Sequence, residues 1–181
     1  VLHAHGFRGA QSIGPKTGRL LARRFARVLA VSKITADFLV EAGASPQSVK
    51  IVYNGVDAER LQRDAAAEGL ALPARDPDGV VFVHVAVLSR LKKAQHVAID
   101  ALARLPRDLR SQLWICGDVA PGDDQSYLGF LRDRVASLGL QERVHFLGWR
   151  TDVPRVIGRS DVCILPSLEE SFGMVLAEAM A

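Results

Sequence analysis

Apolar residues gather in short, regularly spaced runs along the chain, and polar stretches with helical periodicity separate them. Runs rich in β-branched residues fall at 28–31, 49–53, 80–88, 112–116, 144–147 and 162–165, and each predicts a strand. From residue 80 onward these runs are nearly continuous rather than alternating, as expected of strands covered on both faces. Ser32 predicts the N-cap of a helix ending at Gly43, and Asp123 or Asp124 starts another that ends at Gly139. Strands alternating with helices imply an α/β protein with parallel sheets.

The alternation lapses between residues 58 and 79. An Ala-rich stretch there runs into Leu72-Pro73-Ala74-Arg75-Asp76-Pro77-Asp78-Gly79, with two prolines and a turn signal. The lapse predicts a boundary, with an N-terminal part over 1–62, a linker over 63–78 and a C-terminal part over 79–181. The first part is small for a complete doubly wound domain and the last stops within a helix, so both read as cut from longer domains.

Composition narrows the class. Of 181 residues, 49% are hydrophobic and 24% charged, which suits a soluble globular protein and excludes a disordered one. The apolar run at 80–88 is interrupted by His84 and is far shorter than the roughly 20 residues of a membrane-spanning helix. Cys116 and Cys163 sit inside apolar runs and read as small core residues. Charge is uneven: residues 1–63 carry ten Lys/Arg against four Asp/Glu. Lys16, Arg19, Arg23 and Arg27 recur at helical steps beside the apolar Leu21, Phe25 and Val28. Such a face is either solvated or a contact for anionic lipid or a phosphorylated acceptor. It lacks interleaved aromatics, which argues against nucleic acid as a partner.

The densest chemistry follows the last apolar run, in Pro166-Ser167-Leu168-Glu169-Glu170-Ser171-Phe172-Gly173-Met174-Val175-Leu176-Ala177-Glu178. This reads as a strand, a polar turn and a helix start. Backbone N–H groups of Ser171, Phe172, Gly173 and Met174 are then open donors at a helix N-terminus, which suits a diphosphate. Gly173 allows a ligand to approach closely. Glu170 and Glu178 are separated on a helix by about 12 Å of rise and roughly 80° of rotation. That excludes the ~5–5.5 Å carboxylate pair of a retaining glycosidase and favours two contacts with one extended ligand.

The stretch resembles the E-x7-E motif of the family 4 glycosyltransferases. The resemblance implies a GT-B type α/β chain: two Rossmann-like domains with parallel sheets, both incomplete here. The C-terminal part of the acceptor domain then occupies 1–62 and the nucleotide-sugar donor-binding domain 79–181. It implies a retaining glycosyltransferase that moves a sugar from a nucleotide sugar to a glycan or lipid-linked acceptor in cell-envelope polysaccharide synthesis. The expected place is the cytoplasm, at the inner face of the membrane, with peripheral contact through the basic helix near residues 16–27. No metal or other cofactor is implied, the nucleotide sugar being a co-substrate, and the 181 residues alone are expected to show no turnover.

Carried over by position, Glu170 faces the donor sugar and the reaction centre. Ser171, Phe172, Gly173 and Met174 hold the diphosphate, and Glu178 accepts hydrogen bonds from the ribose hydroxyls. Val144-His145-Phe146-Leu147-Gly148 with Trp149-Arg150-Thr151-Asp152-Val153 resembles the family's strand and base-binding loop, so Arg150 is a candidate beside the nucleobase. His3-Ala4-His5-Gly6 resembles a strand end facing the interdomain cleft, with His5 near the donor sugar.

Two places depart from the pattern. Where the family has Gly-Arg-Leu and then Lys-Gly, this chain has Val85-Ala86-Val87-Leu88-Ser89-Arg90-Leu91-Lys92-Lys93-Ala94-Gln95. Alignment from the helix side makes Lys93 the phosphate-binding lysine, alignment from the strand side makes it Lys92, and Arg90 replaces the missing arginine. In Gly117-Asp118-Val119, valine stands where a second glycine is common. Competing readings are a non-catalytic nucleotide-sugar-binding fragment and a sugar-nucleotide epimerase of the same fold. A nicotinamide dehydrogenase is disfavoured, since no Gly-x-Gly-x-x-Gly turn occurs.

Overall fold

The computed structural model describes residues 2–4, 24–67, 69, 71–89, 92–120, 122 and 125–181. They form two compact units, Val1–Gly55 with Glu169–Met174, and Val56–Leu168 with Val175–Ala181. His5, Arg90 and the basic stretch from Arg8 to Arg23 lie outside the described residues.

The first unit is built on three parallel strands in the order β1 (Leu2–Ala4), β2 (Val28–Ala30) and β3 (Val49–Ile51), with Val28 facing both Leu2 and Val49. Helix α1 (Lys33–Glu41) connects β2 to β3. It starts at Ser32, whose Oγ accepts from the Thr35 amide at 3.2 Å. It stops where Gly43 turns left-handed at φ +100° and Ala44 donates back to the Leu39 carbonyl, the close expected of a C-terminal glycine. Ala36 and Leu39 carry the buried face of α1 onto Val28, Ala30 and Val49.

The second unit holds four parallel strands in the order Val144–Gly148, Gln112–Cys116, Val81–Val85 and Val162–Cys163. In the chain they run α2 (Ala58–Ala66), β4 (Val81–Val85), α3 (Gln95–Arg104), β5 (Gln112–Cys116), α4 (Ser126–Ser137), β6 (Val144–Gly148), α5 (Val153–Gly158), β7 (Val162–Cys163) and α6 (Met174–Ala179). On one face Leu113, Ile115 and Val144 pack under Ile99 and Leu102 of α3 and Leu131 and Val135 of α4. On the other, Val81, Val83 and Trp114 pack with Val156 of α5. Successive strand residues point to opposite faces, so covering both faces requires the continuous apolar runs seen in the sequence.

Some elements differ from expectation. The stretch after residue 58 is a helix, not a lapse. Asp57 caps α2 by accepting from the Arg60 amide at 3.0 Å, and no residue of α2 is fully buried, Leu61 and Ala65 being half-buried. It packs on α5, where a Cβ built at Gly158 would lie 3.1 Å from that of Ala65. The linker is fastened to the second unit: Arg75 grips Asp161 with two bonds of 3.0 Å, and Gln112 donates to the Ala74 carbonyl. The run at 80–88 forms a strand only over Val81–Val85; beyond it Ala86 and Leu88 still donate to the Cys116 and Asp118 carbonyls, while the Val87 carbonyl is taken by the Gln95 side chain. Helix α4 starts at Ser126; Asp123 and Asp124 lie outside the described residues.

Candidate functional site

Ligands of open parallel α/β sheets bind beyond the carboxyl ends of the strands. In the second unit that edge is formed by the segments after β4, β5, β6 and β7. After β5, Gly117 has φ +141°, and a Cβ there would stand 1.9 Å from the Ala86 carbonyl oxygen. The segments after β4 and β5 therefore approach more closely than any side chain allows. They are joined by Ala86 donating to Cys116 and Leu88 donating to the Asp118 carbonyl.

The segment after β4 carries Lys92, exposed, and Lys93, half-buried, at the entry to α3. The amides of Lys93 and Ala94 both donate to the Ser89 carbonyl, and Ala94 takes a left-handed conformation at φ +49°. Gln95 is fully buried: its Oε1 accepts from the Ser89 amide at 3.2 Å and its Nε2 donates to the Val87 carbonyl at 2.9 Å. From β4, the buried His84 donates through Nε2 to the Lys93 carbonyl at 3.2 Å. The segment after β7 joins in, since Leu168 donates to the Lys92 carbonyl at 2.8 Å. Desolvation drives the His84 imidazole below its ordinary value despite that hydrogen bond, so the ring is neutral.

After β6, Gly148 turns at φ +67° and Arg150 meets Asp152 through two bonds of 2.8 and 2.9 Å. The guanidinium hydrogen bond holds the Asp152 carboxyl below its usual range. Glu178 lies half-buried on α6, beside a cleft of about 230 Å³ lined also by Gln62, Pro154 and Ile157. Burial, then the Glu178 charge, pushes the Cys163 thiol up, and burial does the same for Cys116. Both cysteines are protonated packing residues, as the sequence suggested.

In the first unit, Glu170 is half-buried and its Oε1 accepts from the Ser171 amide at 3.2 Å. The Phe172 ring lies 6.2 Å from that of Tyr53, tilted by 38°. Gly173 is buried at φ +79°, a conformation glycine takes without strain.

The second unit thus brings Lys92, Lys93, Arg150 and Glu178 onto one domain, and the first gathers Glu170 to Gly173 with Tyr53. An Asp-x-Asp pattern occurs once, at Asp76-Pro77-Asp78, on the far side of the sheet before β4, where Asp76 pairs with Arg110 at 3.2 Å. Sequence reasoning missed His84 and Gln95; the signal available was a lone polar residue within an apolar strand and a glutamine on the buried side of a helix start.

The profile described as "Glycosyl transferases group 1" matches residues 73–181, and that described as "Glycosyltransferase Family 4" matches residues 1–60. The chain belongs to the group 1 glycosyl transferases, and its α/β architecture of parallel sheets is the GT-B type expected. D-inositol 3-phosphate glycosyltransferase of Mycobacterium sp. (strain KMS) is 34% identical over 161 residues, covering 86% of this chain and 35% of that protein. Mannosylfructose-phosphate synthase of Agrobacterium fabrum is 30% identical over 164 residues, covering 85% of this chain and 35% of that protein. The crystal structure of Anabaena Alr3699/HepE in complex with UDP and glucose matches with a TM-score of 0.79 and 28% identity, covering 99% of this chain and 49% of that one. The chain therefore spans about a third of the curated relatives' length.

Proposed function

We propose that the chain is the donor-binding part of a retaining glycosyltransferase, together with a portion of its acceptor domain. The observation that carries this reading is the E-x7-E spacing of Glu170 and Glu178 in the segment that follows β7 in the chain of a group 1 glycosyl transferase. Its likeness to a structure holding UDP and glucose supports a nucleoside diphosphate sugar as donor.

In this reading Lys92, Lys93 and Arg90 neutralise the diphosphate with the amides of Phe172, Gly173 and Met174, while the Ser171 amide, expected to be an open donor, is taken by the Glu170 side chain. Glu178 binds the ribose, Arg150 lies by the base, and Glu170 and His5 attend the sugar. The bond from the anomeric carbon to the diphosphate breaks, the acceptor hydroxyl bonds to that carbon on the same face, and its proton leaves with the nucleoside diphosphate. Cations and N–H donors aimed at the departing diphosphate stabilise the charge it develops, so no metal is required.

The acceptor we propose is a glycan or lipid-linked sugar of the cell envelope, met at the cytoplasmic face of the membrane through the basic residues 16–27. Among the described residues no helix is long and apolar enough to cross a membrane. Calorimetric titration with UDP, GDP and their sugars, followed by transfer assays with the full-length protein on glycan and lipid-linked acceptors, tests the reading. Tight binding of one nucleoside diphosphate is expected, with the product anomer matching the donor. Absence of binding to every donor, or an inverted product, refutes it.

A further inference from the structure

We propose that His84 and Gln95 are positioning residues that fix the backbone of Lys92 and Lys93 so that their ammonium groups meet the donor diphosphate. The proposal rests on the reading of this segment as a diphosphate site.

Both side chains are fully buried, His84 in an otherwise apolar strand and Gln95 in the first turn of α3. Burying polar groups is costly unless hydrogen bonds repay the lost hydration. Packing alone would be met by an aliphatic residue at either position. What these two supply is a set of bonds to one backbone segment. Gln95 uses both halves of its amide, accepting from the Ser89 N–H and donating to the Val87 carbonyl. The Ser89 carbonyl then takes the amides of Lys93 and Ala94, while His84 draws in the Lys93 carbonyl from the strand side. Leu168 secures the Lys92 carbonyl.

The segment between Val87 and α3 is thus held at both ends. Ala94, buried and left-handed at φ +49°, shows that the path is imposed on a residue that does not favour it. Two adjacent lysines repel each other and lose side-chain freedom when ordered on a ligand. A fixed backbone beneath them removes part of that cost before the ligand arrives. Only an amide serves at position 95: glutamate lacks the donor for Val87 and leucine lacks both groups.

The test uses the full chain and its Gln95→Glu variant, titrated with UDP, inorganic pyrophosphate and uridine, with amide hydrogen exchange read residue by residue. The variant should bind UDP and pyrophosphate about tenfold more weakly, with uridine binding unchanged. Exchange should quicken at Ser89, Lys93 and Ala94 but not at Leu113 or Ile115 in β5. A general structural defect would instead lower uridine and UDP binding together and quicken exchange in β5, which overturns the proposal. Wild-type affinities and exchange in the variant overturn it equally. If Gln95→Glu does not fold, His84→Asn, which keeps an N–H donor on a shorter side chain, is read the same way. A wild-type chain that binds neither pyrophosphate nor UDP refutes the diphosphate reading itself and overturns the proposal with it. In that case exchange at Lys93 still reports whether the two side chains order the segment.

Discussion

Arg150 and Asp152 face each other through two parallel hydrogen bonds of 2.8 and 2.9 Å, with side chains only 22% and 25% exposed. The same carboxylate lies 3.9 Å from Arg155 in the first turn of α5. The arginine assigned to the nucleobase is therefore held in place by its own loop. Asp152→Asn should cost about 1 kcal/mol of stability at pH 7. The folded-state pKa of Asp152 lies below its ordinary value, so the contribution is present above that value and is lost as the pH falls through the depressed one. Urea midpoints of wild type and variant should differ at neutral pH and converge in strong acid. Equal differences at both would remove the ion pair as the cause.

Acid should weaken the second unit through two histidines as well. Burial lowers both His84 and His145, with only partial compensation. The unfolded chain takes up protons below about pH 6.5 that the folded chain refuses, so stability falls as the pH drops past that point. His84→Gln should flatten this fall while lowering stability at pH 8. Thermal melts between pH 8 and 5 read both effects, and an unaltered slope in the variant would exclude His84.

Gly117→Ala should be severely destabilising, by about 3 kcal/mol or more, since its methyl would overlap the Ala86 carbonyl and its φ is positive. Gly139→Ala is the control: it has φ +64° but open space around it, and should cost only about 1–2 kcal/mol. Denaturant unfolding of both variants checks the order.

Glu178→Ala should weaken nucleoside diphosphate binding by roughly 1.5–3 kcal/mol for each charge-assisted bond to ribose that is lost. The 2′-deoxynucleotide should lose less on mutation than the ribonucleotide, measured by calorimetry. Equal losses would place Glu178 elsewhere. Chelator should leave transfer by the active protein unchanged; activity abolished by chelator and restored by manganese would contradict the metal-free mechanism.

The sequence by itself determined the order of the strands from β2 to β7 and the C-terminal ends of α1 and α4, because a strand buried on both faces must be continuously apolar and a helix end needs its cap. Ser32, Gly43 and Gly139 carry that information locally. The E-x7-E spacing fixed the class of ligand to consider, since a turn between a strand and a helix can be read from adjacent residues. Helix α2 escaped detection because none of its residues is fully buried: it rests on the Asp57 cap and on packing against α5, far away in the chain, with Leu61 and Ala65 only half-buried. Only the tertiary structure decided that Arg75 fastens the linker to Asp161, and that Gln95 and His84 converge on the backbone beneath Lys92 and Lys93. Those partners are brought together by strand order and by the close approach at Gly117, and no local periodicity encodes which buried polar group will meet which backbone amide.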